Sequence, residues 1–280
     1  MRLPEEVSAS IIKVDRRIAG LGLPVFRSKE LFAPAVHLLR NRGKLMRPSL
    51  VLLGAHVTGQ DTQMFVDLAV SAELLHISSL IHDDIIDRDT VRRGVKAVHI
   101  RYGNEAAILA GDALISKSIS NSAKYGREVI ESISESAMDM CAGEALDYSF
   151  QKGKKVPKQS EYQRIAELKS ASLIATCCNI AAVYKKDKLA GRLHAFGRNV
   201  GIAFQMRDDI LDSIEGTEKK SGFRPNIITT LMEHLSLSGK EAVDQAIELH
   251  NRHIDTAIKE LGSSESTDLL AVYADTIRVK

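Results

Sequence analysis

The 280-residue chain has no tryptophan, only three cysteines and six prolines, and aromatic residues make up 5% of it. With so few rings, the core must be filled by Leu, Ile, Val and Ala. Cys141, Cys177 and Cys178 are too few for a disulfide framework, and the adjacent pair lacks metal-ligand spacing. All three are expected to be small buried hydrophobes in a reducing compartment. An excess of one charge is also missing: 38 basic against 36 acidic residues leave +2. That excludes the broad basic surface of a nucleic-acid or membrane-surface binder. The opening MRLPEEVSAS carries acids where a signal peptide needs a basic region and then an apolar one. The longest weakly polar run, Leu173 to Tyr184, is too short to cross a bilayer. A cytoplasmic, soluble protein with no stable membrane span and no nucleic-acid partner is expected. What is present, 44% hydrophobic and 26% charged residues, suits a globular chain with a real core.

The prolines stand at 4, 24, 34, 48, 157 and 225, so residues 49–156 contain none. A sheet protein would need more turn punctuation than that. Over 64–80, Met64, Phe65, Leu68, Ala69, Ala72, Leu75 and Leu80 follow the i, i+3, i+4 template of a helix. Strand-like alternation is hard to find. Two polar stretches with Gly and Pro, 151–159 and 215–225, read as loops, the first giving way to a helix at Ser160. Neither is long enough to separate domains, and no fixed-period repeat is present. The expectation is a single all-α domain over 1–280 with about ten helices.

Two acidic clusters share the spacing D-D-x-x-D: Asp83, Asp84 and Asp87 in LIHDDIIDRD, and Asp208, Asp209 and Asp212 in FQMRDDILD. On a helix, positions i and i+4 lie within about 40° of each other, so Asp83 shares a face with Asp87, and Asp208 with Asp212. Both clusters follow apolar runs, where crowded carboxylates repel and lose hydration unless divalent cations bind. Carboxylate-only donors favour Mg²⁺, which keeps water and bridges to substrate phosphates; no Cys/His set suits zinc. A phosphate or diphosphate substrate follows. Candidate cationic and polar partners stand nearby: Lys44 and Arg47 in NRGKLMRP, Arg92 and Arg93 in RDTVRRG, and Lys169. His76 lies two helical turns before Asp83, and Gln205 one turn before Asp208.

With these motifs the sequence resembles the trans-isoprenyl (polyprenyl) diphosphate synthases. The matching segments run in order: GKLMRP (43–48), ELLHISSLIHDDIIDRDTVRRG (73–94), AVHIRYGNEAAILAGDALI (97–115), GEALDY (143–148), LKSASL (168–173) and FGRNVGIAFQMRDDILD (196–212). Terpene cyclases share the first motif but carry an N/D-x-x-S/T-x-x-x-E pattern in place of the second. The resemblance implies an antiparallel helical barrel around a deep cavity, a homodimer, and three Mg²⁺ ions, with Mn²⁺ as a substitute. It implies Asp83 and Asp87 as ligands of two ions and Asp208 of the third, with Asp84, Asp209 and Asp212 in support. Arg92, Lys169, Ser170 and Gln205 would hold the allylic diphosphate; Lys44, Arg47, His76 and Arg93 would hold that of isopentenyl diphosphate.

The implied reaction is head-to-tail (1′-4) condensation of isopentenyl diphosphate with an allylic diphosphate. Ser78 and Ser79, one turn before Asp83, stand where relatives that stop at fifteen carbons carry aromatics, so a product of twenty carbons or more is expected. After the second motif the chain departs from the common pattern: EGTEKKSGFRPN offers Lys219 or Lys220, and Arg224, in place of the usual loop lysines. That departure leaves a second reading, a weakly active or non-catalytic subunit of a heteromeric synthase.

Overall fold

The computed structural model describes residues 3–41, 43–215, 223–262 and 265–279. Its helices are α1 (Glu5–Ala19), α2 (Leu23–Phe26), α3 (Lys29–His37), α4 (Met46–Val57), α5 (Val66–Ile86), α6 (Val98–Tyr102), α7 (Asn104–Ser122) and α8 (Arg127–Gly153). They continue as α9 (Gln159–Ala166), α10 (Ser172–Lys185), α11 (Ala190–Glu215), α12 (Ile227–Leu235), α13 (Gly239–Leu261) and α14 (Glu265–Asp275). Fourteen α-helices among the described residues exceed the ten expected, in part because α2 and α6 are single turns that periodicity does not register. The expected loop at 151–159 shrinks to 154–158, because α8 runs on to Gly153 and α9 opens at Gln159. Of the other expected loop, 223–226 is non-helical and 216–222, with Lys219 and Lys220, lie outside the described residues.

The chain divides into two compact units, one of residues 2–134 with 180–187, the other of 135–179 with 188–280. In the first, α5 is apolar almost all round, as a core helix must be. Leu68, Ala69, Val70, Ala72, Leu74, Leu75, Ile77 and Ile81 are all buried. Four residues after α5 comes a small hairpin, β1 (Val91–Arg92) paired with β2 (Val95–Lys96), which the sequence reading missed. Its two turn residues, Arg93 and Gly94, both have positive φ, 51° and 78°, the backbone of a type I′ turn.

The second unit contains the π-helical turn Glu167–Ala171 between α9 and α10. Such turns recur at functional sites because the extra residue redirects side chains. Two glycines allow it to be packed tightly. A Cβ on Gly143 of α8 would stand only 2.4 Å from the Lys169 backbone nitrogen, and one on Gly201 of α11 only 2.4 Å from Cα of Ala171. Helix α13 is amphipathic by contrast. Ala242, Ala246, His250, Ile254, Ala257 and Leu261 form its buried stripe, and the Ser238–Glu241 capping box opens it.

Cys177 and Cys178 are buried as expected, and burial pushes the Cys178 thiol well up. Cys141, expected to be buried, is exposed, because it lies on a solvent-facing side of α8. Thr62–Ile86 and Gln159–Lys185 are long and apolar enough to cross a membrane, contrary to the length expectation. In each, 72% of the apolar window is buried within the fold, as in core helices of globular proteins.

Candidate active site

The first aspartate cluster closes α5. Asp83 and Asp87 are partly exposed, while Asp84 is fully buried. The Asp84 carboxylate accepts from Nε of Arg92 at 2.6 Å, and Nη2 of Arg92 reaches Asp89 at 3.1 Å. Burial raises the Asp84 carboxyl, partly offset by the Arg92 charge beside it. Arg92 is thus anchored by a buried partner, and only its sequence position, not a free guanidinium, was legible. Asp89, within the quoted LIHDDIIDRD, went unassigned.

The basic residues of the same unit gather around His76. Nη2 of Arg93 lies 3.2 Å from Nε2 of His76. Burial, then the charges of Arg47, Arg93 and Arg92, holds the imidazole well below its ordinary range. Gly43 lies against the Arg93 guanidinium, which brings the exposed Lys44 next to it in the chain. Ser78 is buried and Ser79 partly so. Both hydroxyls donate to their own helix, to the Leu75 carbonyl at 2.6 Å and the His76 carbonyl at 2.9 Å.

The second cluster, on α11, repeats the division of labour. Asp208 and Asp212 are exposed, whereas Asp209 turns inward. Asp209 accepts from the Tyr162 hydroxyl at 2.7 Å, the Gln205 amide at 3.0 Å and the Ile227 backbone N–H at 3.1 Å. Gln205 in turn accepts from Ser170 at 2.5 Å. Lys169, on the π turn, is bridged to Glu144 at 2.6 Å and Asp147 at 2.7 Å. Asp147, Tyr162, Lys169, Gln205 and Asp209 line one small cavity with Pro225. Arg224, next to it in the chain, is half-buried. Tyr162 was not foreseen: it lies in no motif, and only the packing of α9 against α11 delivers it.

Despite its three donors, Asp209 is pushed up to about 6, chiefly by burial. A carboxyl raised in the folded state favours the protonated form, so its ionisation opposes folding. In metal-free protein, the contribution of Asp209 to stability is therefore expected to fall as pH rises from about 4 to about 6. Asp209→Asn is expected to flatten that part of the profile; an unchanged slope in the variant would assign it elsewhere.

Residues 28–255 match the family model described as polyprenyl synthetase. The chain belongs to the polyprenyl synthetase family. This family member is 39% identical over 220 residues to the geranylgeranyl diphosphate synthase of Methanosarcina mazei, covering 76% of this chain and 67% of that protein. It is 32% identical over 228 residues to the geranylfarnesyl diphosphate synthase of the same organism, covering 80% and 76%. Against several other relatives the match spans about 60% of their length. Among solved structures, the geranylgeranyl pyrophosphate synthetase of Geoglobus acetivorans superposes with a TM-score of 0.88 at 28% identity, covering 99% of this chain and all of that one. This bears out the resemblance read from the motifs, together with the all-α fold and the prenyltransferase class.

Proposed function

We propose that this polyprenyl synthetase is a Mg²⁺-dependent prenyltransferase that condenses isopentenyl diphosphate with an allylic diphosphate to a trans product of twenty carbons or more. It acts as a single-domain, cytoplasmic, soluble homodimer. The observation that carries the reading is the shared pattern of the two aspartate clusters. In each, the second aspartate (Asp84, Asp209) is turned inward and bonded, and the outer pair (Asp83 with Asp87, Asp208 with Asp212) keeps solvent access. Paired carboxylates without sulfur or imidazole fit a hard cation that completes its shell with water and phosphate oxygens.

In this reading Asp83, Asp87 and Asp208 hold three Mg²⁺ ions, which Mn²⁺ can replace. When bound, Mg²⁺ supplies positive charge to the departing diphosphate. Asp84 holds Arg92, and Asp209 with Ser170 holds the Gln205 amide, so these groups meet the allylic diphosphate already oriented. Lys169 exchanges its bridge to Glu144 and Asp147 for the phosphate, with Arg224 in support. Lys44, Arg47, His76 and Arg93 seat the second diphosphate. The alkene of isopentenyl diphosphate attacks the allylic carbocation, and the released diphosphate takes the proton. A chelator should abolish condensation and added Mg²⁺ restore it; condensation unaffected by chelation would refute the metal assignment.

Ser78 and Ser79 leave small side chains where a growing prenyl chain is to pass. The two relatives named above, one a geranylgeranyl and one a geranylfarnesyl synthase, support a product of at least twenty carbons. Ser78→Phe is expected to shorten the product by one or more isoprene units. Overpacking a buried site costs about 1–3 kcal/mol, so chromatography of products from the folded fraction is the readout. An unchanged product length would remove Ser78 from this role.

A further inference from the structure

A net charge of +2 rules out a broad basic surface, yet it hides a local one. Residues 148–160 hold four lysines, Lys152, Lys154, Lys155 and Lys158, and no acid. All four are exposed, and none has a carboxylate partner among the described residues. Helix electrostatics does not account for them all. Lys152 suits the negative end of the α8 dipole, but Lys158 is the N-cap of α9, where a cation is disfavoured and Ser, Thr, Asp or Asn is preferred. Lys154 has φ 50°, the left-handed position at which a helix usually ends on glycine. The loop backbone is nonetheless fixed. The N–H groups of Lys155 and Lys154 donate to the Phe150 carbonyl at 3.0 Å and the Gln151 carbonyl at 3.1 Å, and Pro157 is buried. Nε2 of His234 lies 3.3 Å from the Val156 carbonyl.

That last contact sets the end of α12 beside the loop. Leu235 is 53% exposed there, and Tyr148, one turn before Lys152 on α8, is 44% exposed. Glu233 is the only carboxylate of α12, so the four lysines keep a local excess of positive charge. Lysines that merely steer a soluble anion need no apolar neighbours. A bilayer surface takes both, ammonium groups at anionic headgroups and apolar or amphipathic side chains at the interface. We propose that the loop 152–158, with Tyr148 and Leu235, docks the protein reversibly on an anionic lipid surface. Pro157 also lines the cavity of Asp147, Tyr162, Lys169 and Asp209, so the docked face adjoins the candidate site. A product of twenty carbons or more then leaves beside lipid, where its chain dissolves. The docking stands on surface chemistry; only this fate of the product rests on the prenyltransferase reading.

The test uses the full chain and needs no substrate. The protein is sedimented with vesicles of phosphatidylcholine alone, or of phosphatidylcholine mixed with phosphatidylglycerol. It is expected to bind the mixed vesicles, less so as salt rises, and to bind the neutral ones only slightly. Each lysine near such a surface contributes about fivefold, so Lys154→Gln combined with Lys155→Gln should lower partitioning about twenty-five-fold. Lys154→Gly separates docking from folding. Glycine suits the left-handed backbone, so this variant should melt no lower than the wild type yet bind about fivefold more weakly. No binding to mixed vesicles, equal binding to neutral ones, or lysine variants that bind like the wild type would overturn the proposal. Lysines that instead capture diphosphate substrates would give a salt-sensitive kcat/KM that falls in the double variant in vesicle-free buffer. That result, with vesicle binding absent, would replace the proposal. Failure of condensation in protein whose vesicle binding follows the expected pattern would count against the proposed function alone and leave the docking in place.

Discussion

Asp83→Asn is expected to lower the condensation rate about a thousandfold while leaving the fold intact. The substitution keeps the shape of the side chain and removes one charge from an i, i+4 carboxylate pair. Loss of a metal-ligating carboxylate removes several kcal/mol of stabilisation from the departing diphosphate; about 4 kcal/mol corresponds to that factor. Stability should change little, because Asp83 is partly exposed, and the repulsion relieved among the carboxylates offsets the attraction to Arg92 that is lost. Asp84→Asn makes the contrast. Asp84 is buried and bonded to Arg92, so breaking this pair should cost about 3–5 kcal/mol of stability as well as activity. Rates measured beside melting curves separate the two. Equal destabilisation by both variants would contradict the division into a metal-facing and an inward-facing aspartate.

Gly201→Val is expected to be strongly destabilising. Its Cβ would stand 2.4 Å from Cα and 2.6 Å from Cβ of Ala171 on the π turn, and backbone cannot step aside as a long side chain can. Overpacking typically costs about 1–3 kcal/mol, and a backbone clash belongs at the upper end; about 3 kcal/mol is a drop of roughly 6–12 °C in melting temperature for a chain of this size. Because Ala171 is two residues from Lys169, the surviving folded protein should also bind the allylic substrate poorly. Gly191→Val on the same helix is the control, since nothing stands within 4 Å of its Cβ position. A calorimetric scan showing the two variants equally stable would rule out close packing at Gly201.

The aspartate motifs were legible because the i, i+4 spacing acts within one helix and needs no tertiary information. The helical class was legible for a similar reason, from proline spacing and local periodicity. Three other features depend on packing between elements and left little local trace. Tyr162 reaches Asp209 only because α9 packs on α11. The π turn that presents Lys169 exists because Gly143 and Gly201 leave room for it, and both glycines read in sequence as ordinary helix interruptions. The hairpin at Arg93–Gly94 was hidden because its strands are two residues long, too short for alternation to show. Lys169 stands between: its position was read from LKSASL, and its partners Glu144 and Asp147 lay within the quoted GEALDY without being joined to it.

The most direct test of the central reading is analysis of the products formed from labelled isopentenyl diphosphate and allylic starters of five, ten and fifteen carbons, with Mg²⁺. The expected result is a ladder of trans products ending at twenty carbons or beyond. A ladder stopping at fifteen would contradict the open path past Ser78 and Ser79. Binding of all three starters with no condensation of any would contradict the enzyme itself and leave a subunit that needs a partner chain for catalysis.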